Sequence, residues 1–305
     1  MSTPTPDLTL VVPDLGPSGP VRTIGARTFD FSRQVAIMAI VNRTRDSFYD
    51  NGSTFDFGPA LRRVEEAVEQ GADWVDIGGV PFSPIAGPVS EQEEVERVVP
   101  LVEATRGVTD AVISVDTFRA AVAREALRAG ADAINDTSGL HDPTMARLAQ
   151  EQGGTLIVCH SKAAPLTKLP SPQYEDVVTE VRGVLADRVQ LALAQGLAPE
   201  RIVVDPGHDL NKNTFHSLEI TRRLGELATL GYPLLAAVSN KDFIQETLDL
   251  PKERLLAGTT ATHVFCILQG ARILRVHDVA GAVHAARMTE SILGWRPPAR
   301  TGHNL

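Results

Sequence analysis

The sequence predicts an α/β protein folded as a (β/α)8 TIM barrel with a short N-terminal tail and hairpin. Three observations carry this expectation. Eight short apolar runs recur along the 305 residues. Amphipathic segments of helical length separate them. Glycines sit where several of those segments should stop, at Gly71, Gly130, Gly196, Gly231 and Gly270, supplying the left-handed turn that ends a helix.

In chain order, residues 1–23 open on Pro, Thr and Ser and read as a flexible tail. The stretch RTIGARTFDFSRQ (22–34) has Gly25 between two strand-like pieces, a hairpin suited to plugging the barrel bottom. The barrel is expected over 24–296, with 297–305 as a C-terminal tail. Its strands are VAIMAIV (35–41), DWVDIGG (73–79), AVISVDT (111–117), ADAINDT (131–137), TLIVCHS (155–161), RIVVDPG (201–207), PLLAAVS (233–239) and ARILRVH (271–277). They are β-branched and lack strict alternation, as strands covered on both faces of a parallel sheet do. Between them lie segments such as GPALRRVEEAVEQGA and FRAAVAREALRAGA. Eight strand–helix units match a (β/α)8 barrel in count and length. A doubly wound sheet is the alternative, but no Gly-x-Gly-x-x-Gly follows the first run. A loop at 160–176 carries three prolines, and loops of that length tend to be functional.

The net charge is −9 and no Lys/Arg block stands out. Nucleic-acid binding, which needs a basic footprint, is not expected. No run approaches the roughly 18 apolar residues of a membrane span, and the N-terminus lacks a signal pattern. A cytoplasmic protein is expected. Cys159 and Cys266 lie in apolar runs and read as small buried hydrophobes in a reducing compartment.

In such a barrel, chemistry sits at the C-terminal ends of the strands. Those ends carry Asn42, Asp76, Asp116, Asn135 with Asp136, His160, Asp205, Ser239 with Lys241, and Arg275 with His277. Asp116, Asn135, Asp205 and Lys241 offer several acceptors and a few donors, which suits a flat heterocycle rich in N–H and carbonyl groups. Buried carboxylates cost several kcal/mol unless something donates to them. Arg275 and His277 add cationic donors at the opposite side of the mouth. With Asn42 as an oxygen ligand for Mg2+, they would hold a phosphate or diphosphate. Arg-Val-His-Asp equally reads as a helix start capped by Asp278.

The stretches IMAIVNRTRDSFYDNG, GADWVDIGG, ISVDTFRAAVAREALRAGADAINDTSG, VVDPGHDLNKNTFHSLEITRRL, AAVSNKDFI and RVHDVAGAV, in this order, resemble the dihydropteroate synthase family of pterin-binding barrels, over residues 24 to 294. The resemblance implies condensation of 6-hydroxymethyl-7,8-dihydropterin diphosphate with p-aminobenzoate to give dihydropteroate and diphosphate, with Mg2+ and a homodimer. Matched residue by residue, it implies that Asn42 holds the Mg2+. Asp116, Asn135, Asp205 and Lys241 bind the pterin, and Arg275 and His277 take the diphosphate. It implies early loss of diphosphate, with Asp116 and Asp205 stabilising the cationic pterin methylene. Thr44 to Asp50 becomes a loop that folds over the site, with Asp46 its acting residue. The implied catalytic set is Asp46, Asp116, Asp205 and Lys241.

The sequence departs from the family on one side only. Arg45 stands for a loop proline. Val80, Pro81, Phe82, Ser83 and Pro84 follow Gly79 where members have Glu-Ser-Thr-Arg-Pro. Asp209, Leu210, Asn211 and Lys212 replace Gly-Phe-Gly-Lys, and Ser239, Asn240, Lys241 and Asp242 replace Ser-Arg-Lys-Ser. These positions match the p-aminobenzoate side. Asp242 would repel a benzoate by about 4 kcal/mol at about 4 Å and an effective dielectric near 20, unless Arg43 or Arg45 swings in. The changes resemble those of a divergent second synthase-like paralogue of actinobacteria. Alternatives are a catalytically silent pterin-diphosphate-binding paralogue with a regulatory role, a transferase using a different amine or nucleophile, and a corrinoid-linked methyltransferase. Arg275-Val-His277 and Asn42-x-Thr44 favour diphosphate handling over the last.

Overall fold

The computed structural model describes residues 10–16, 18–43, 55–81, 88–167 and 169–303. Asp46, the rest of the loop from Thr44, and Phe82 to Pro84 lie outside these residues. An antiparallel hairpin, β1 (Val21–Ile24) and β2 (Arg27–Asp30), precedes eight strands that close in the order β10-β3-β4-β5-β6-β7-β8-β9. The barrel strands are β3 (Ala36–Asn42), β4 (Trp74–Gly78), β5 (Val112–Asp116), β6 (Ala133–Asp136), β7 (Thr155–Cys159), β8 (Ile202–Asp205), β9 (Leu234–Ala236) and β10 (Ala271–Val276). All their pairings are parallel. Each of the eight apolar runs became one barrel strand. β1 begins at Val21, ahead of the boundary at 24 expected from the sequence.

Around the barrel run α1 (Phe57–Glu69), α2 (Glu91–Val108), α3 (Ala120–Arg128), α4 (Thr144–Glu151), α5 (Val177–Ala194), α6 (Thr214–Arg222), α7 (Leu224–Ala228), α8 (Asp242–Leu248), α9 (Leu256–Leu268) and α10 (Val279–Ile292). Their ends follow local chemistry. Ser90 and Glu93 form a capping box at the start of α2, satisfying two N–H groups a helix start leaves open. Asp176 caps α5 and Asp278 caps α10, so the helix-start reading of Arg-Val-His-Asp holds. None of the described helices is long and apolar enough to cross a membrane.

The strands read as continuous apolar runs because both faces are covered. One parity, including Ile37, Ala39 and Val41, packs outward in the main core beneath the helices. The other parity faces the barrel interior. Ala36, Met38, Trp74, Val112, Ala133, Ile157, Val203, Leu235 and Ile273 form an apolar floor there with Leu15, Ile24, Phe29 and Phe31. Phe29 stacks on Phe31 at 5.5 Å and meets Trp74 at 6.1 Å between ring centroids. The turn between β1 and β2 needs glycine, since Gly25 has φ +58° and a Cβ there would strike the Asp132 carboxyl. Phe29 is 1% exposed. Truncation to Ala is expected to cost about 3–5 kcal/mol, read as a lowered urea midpoint with unchanged slope.

Candidate functional site

Side-chain parity decides which polar residues meet. Asn42, Gly78, Asp116 and Asn135 are mutually in register across β3, β4, β5 and β6. Each has the parity of a floor residue on its own strand, so each faces the interior one or more steps above the floor. Asp205 on β8 and Arg275 on β10 share that parity with Val203 and Ile273. Five apolar strands thus deliver two carboxylates, two amides and a guanidinium into one mouth.

Arg275 ties the site together. Its Nε donates to Asp76 Oδ2 at 2.6 Å and its Nη2 to Asp116 Oδ2 at 3.0 Å. Asn135 Nδ2 donates to the same Asp76 oxygen at 3.0 Å. Thr137 Oγ1 donates to Asp116 Oδ1 at 3.3 Å. This corrects the expectation that Arg275 stands across the mouth from the carboxylates. Because β10 closes the barrel against β3, the long side chain reaches over one neighbour to β4 and β5. Burial pushes the Asp116 carboxyl up to about 7, with the Arg275 cation pulling it down and the Asp76 charge adding to the rise. Burial would lower the Arg275 guanidinium, but Asp76 and Asp116 hold it above its ordinary value.

On the other side, Asp205 is 4% exposed and accepts from Gly207 N at 2.7 Å. Burial raises its carboxyl; the charges of Lys241, Arg275 and Lys212 oppose the rise. Lys241 therefore shares this electrostatic neighbourhood, just ahead of α8. Lys212 is itself buried and donates to the carbonyls of Gly207 (2.8 Å) and Leu210 (3.0 Å), and it pairs with His160 Nδ1 at 2.9 Å. Burial lowers its ammonium to about 7. Burial and the Lys212 charge hold His160 down at about 3, a neutral imidazole. The loop that positions Asp205 is thus fastened by a tripod of bonds from one lysine.

His277 is fixed by backbone and side-chain contacts to Ser239 Oγ, at 3.2 and 3.1 Å, and its carbonyl accepts from Arg63 Nη2 at 2.6 Å. Asn42 ends β3 beside Gly78, where an added Cβ would lie 2.8 Å from Asn42 Oδ1. Among the described residues no group of three or more His, Cys, Asp or Glu is arranged for a metal. One neutral oxygen fits a Mg2+ that arrives with substrate phosphates and water, not a protein cage.

Two sequence readings change. Asp136 has the opposite parity to Asn135 and turns away from the mouth; its oxygens accept from Ser138 N (2.9 Å), Ser138 Oγ (2.5 Å) and Leu140 N (3.1 Å). Asp242 does not confront the site as a bare charge. Its side chain is 71% exposed and pairs with Lys252 at 3.3 Å, so its repulsion falls into the range below about 1 kcal/mol typical of exposed charges. Arg43 is also committed elsewhere, to Phe55 O at 3.1 Å and Arg97 O at 2.5 Å.

A model of pterin binding enzymes matches residues 38–277. A Mycobacterium tuberculosis protein named inactive dihydropteroate synthase 2 is 44% identical over 88% of this chain and 86% of its own. The Haemophilus influenzae dihydropteroate synthase is 41% identical over 80% and 89%. This chain belongs to the dihydropteroate synthase family. Among solved structures, the Yersinia pestis synthase with a sulfonamide drug superposes with a TM-score of 0.85 at 35% identity, covering 90% of this chain and all of that one. The Xanthomonas albilineans synthase with 4-aminobenzoic acid gives 0.82 at 34%, covering 90% and 98%.

In this dihydropteroate synthase family member, the loops after β7 and β8 are tied to each other by hydrogen bonds. Asp209 and Asn211 hold left-handed backbones, with φ of 65° and 52°, a region Asn and Asp enter more readily than most residues. Asn211 Oδ1 accepts from Ser161 Oγ (3.1 Å), Lys162 N and Ala163 N (both 3.0 Å). Tyr174 Oη donates to the Asn211 carbonyl at 3.0 Å. These bonds form a polar clasp between the loops after β7 and β8. The sequence places Asp76 at a strand end and Lys212 in a matched loop motif but gives neither a role in the site. Asp76 had a signal, a charge at interior parity within an apolar strand. Lys212 had only its match to the lysine of that loop motif, which says nothing of its burial beside His160.

Proposed function

We propose that the barrel mouth binds 6-hydroxymethyl-7,8-dihydropterin diphosphate, with Asp116, Asn135, Asp205 and Lys241 around the pterin and Arg275 and His277 toward the diphosphate. The observation that carries this reading is the convergence of Asp116, Asn135, Asp76 and Arg275 in one hydrogen-bonded cluster facing the barrel interior. Among the described residues, Asp76 Oδ1, Asn135 Oδ1 and Ser114 Oγ are buried there without a partner. The Asp76 and Asn135 oxygens call for donors and the Ser114 hydroxyl can donate or accept, and a pterin ring carries both kinds of group. Asn42 would hold a Mg2+, which when bound neutralises charge on the leaving diphosphate. Asp116 and Asp205, fixed in a buried setting, would stabilise positive charge as it develops on the pterin methylene.

Condensation with p-aminobenzoate is the reaction this site would carry, at a low rate. The replaced second-substrate positions and the mycobacterial relative named inactive support slow or absent turnover. The competing reading is a silent pterin-diphosphate binder with a regulatory role; the Asn211 clasp favours it, by altering the wall beside which the amine would sit. Release of diphosphate, measured with and without p-aminobenzoate and over a panel of aromatic amines, separates the two. Weak amine-dependent release is expected. Brisk turnover with p-aminobenzoate would contradict the role given to the loop changes, and none with any amine would favour the silent binder. A homodimer belongs to the same reading, checked by sedimentation.

A further inference from the structure

We propose that Asp76 is a positioning residue that anchors the Arg275 guanidinium, so that a heterocycle taking over Asp116 frees one edge of that guanidinium for an anion. The proposal rests on the pterin-diphosphate reading above and adds a coupling between the two halves of the ligand.

The geometry is asymmetric. Arg275 pairs in register with Met38, which pairs with Trp74, so its backbone sits at the level of the floor. The side chain rises toward the mouth and meets Asp76 first, through Nε. It meets Asp116 further out, through Nη2. Asp76 has a side chain 0% exposed, whereas Asp116 is 25% exposed. A ligand in the mouth can therefore compete for Asp116 but not for the Asp76 oxygen that Nε uses. Asp76 Oδ2 also takes Asn135 Nδ2, so the same atom fixes both the guanidinium and the amide.

Arg275 spends an Nη2 hydrogen bond on Asp116. A heterocycle whose N–H groups donate to Asp116 takes over that acceptor. The displaced Nη2 edge stays in the mouth, because Nε remains pinned on Asp76, and it turns its planar fork to an anion. The reverse holds by linkage: an anion that engages Nη2 releases Asp116 to the heterocycle. No proton or covalent bond changes hands; two hydrogen-bonded states of one side chain carry the coupling.

The test uses the full chain and two separate probes, 6-hydroxymethyl-7,8-dihydropterin and inorganic diphosphate in Mg2+ buffer. Each is titrated calorimetrically alone and with the other at saturation. Wild type is expected to show each probe raising the affinity for the other by about tenfold, within the usual range of site–site coupling. In D76N, and in R275K, which keeps the charge but has no Nε, the coupling factor should fall toward one while both chains retain a native circular-dichroism spectrum. R275K covers the case in which D76N does not fold. Binding of both probes to wild type without coupling overturns this inference alone, as does coupling that survives in a folded D76N or R275K. Failure of folded wild type to bind either probe rejects the underlying reading with it.

Discussion

Replacing Arg275 with Ala is expected to lower folding stability by about 3–5 kcal/mol, the cost of leaving a buried partner charge uncompensated. Asp76 has no exposed side-chain surface, and besides Arg275 it accepts a hydrogen bond from Asn135 Nδ2. Losing the guanidinium leaves the Asp76 and Asp116 carboxylates facing each other in a dry place. The pH dependence has a definite sign. Asp116 already sits near 7, above its ordinary 3.8, with Arg275 present to pull it down. Without Arg275 it rises further. The folded variant then holds a proton at pH values where the unfolded chain has released it, so stability falls as pH rises from about 4 through 7 and beyond. Urea denaturation at pH 5 and pH 8 should show the variant's deficit larger at pH 8. An equal deficit at both pH values would mean that Asp116 is not the group left exposed to the loss.

The second large effect concerns binding. A pterin that donates N–H groups to Asp116 needs the carboxylate ionised. Affinity for pterin diphosphate should therefore rise as pH passes upward through about 7, the point to which burial brings Asp116. The groups acting on Asp116 are Arg275, which opposes the shift, Asp76 and Glu94, which add to it, and Thr137, which donates a hydrogen bond. Below that pH, binding should release a proton, visible as a heat that scales with the buffer's ionisation enthalpy. Asp116→Asn should weaken binding about 10- to 100-fold, the range for losing charge-assisted hydrogen bonds, and flatten the profile. A profile unchanged in Asp116→Asn would assign the titration to another group, with Lys212, also near 7, the first alternative.

The barrel was legible because burial on both faces writes the same apolar signature into every strand, and turns are marked by glycine. Asn42, Asp116, Asn135 and Asp205 were legible for a related reason: a polar residue ending an apolar strand has only the mouth to occupy. The period-two rule could have separated Asn135 from Asp136 in the sequence, since adjacent residues on a strand face opposite sides. What the sequence hid were partnerships between distant positions. Arg275 and Asp76 are 199 residues apart, and Arg275 and Asp116 159. Their pairing follows from closure of β10 against β3, which no local pattern encodes. Asp242 misled for the same reason. Its charge was visible, but its partner Lys252 and its exposure depend on how α8 meets the turn behind it. Loop 44–54, with Asp46, lies outside the described residues.

Calorimetric titration of the full chain with 6-hydroxymethyl-7,8-dihydropterin diphosphate and Mg2+ at pH 8 tests the central claim most directly. Saturable binding at one site per chain, weakened in Asp205→Asn, is the predicted result. A folded wild-type chain that takes up no ligand would contradict it.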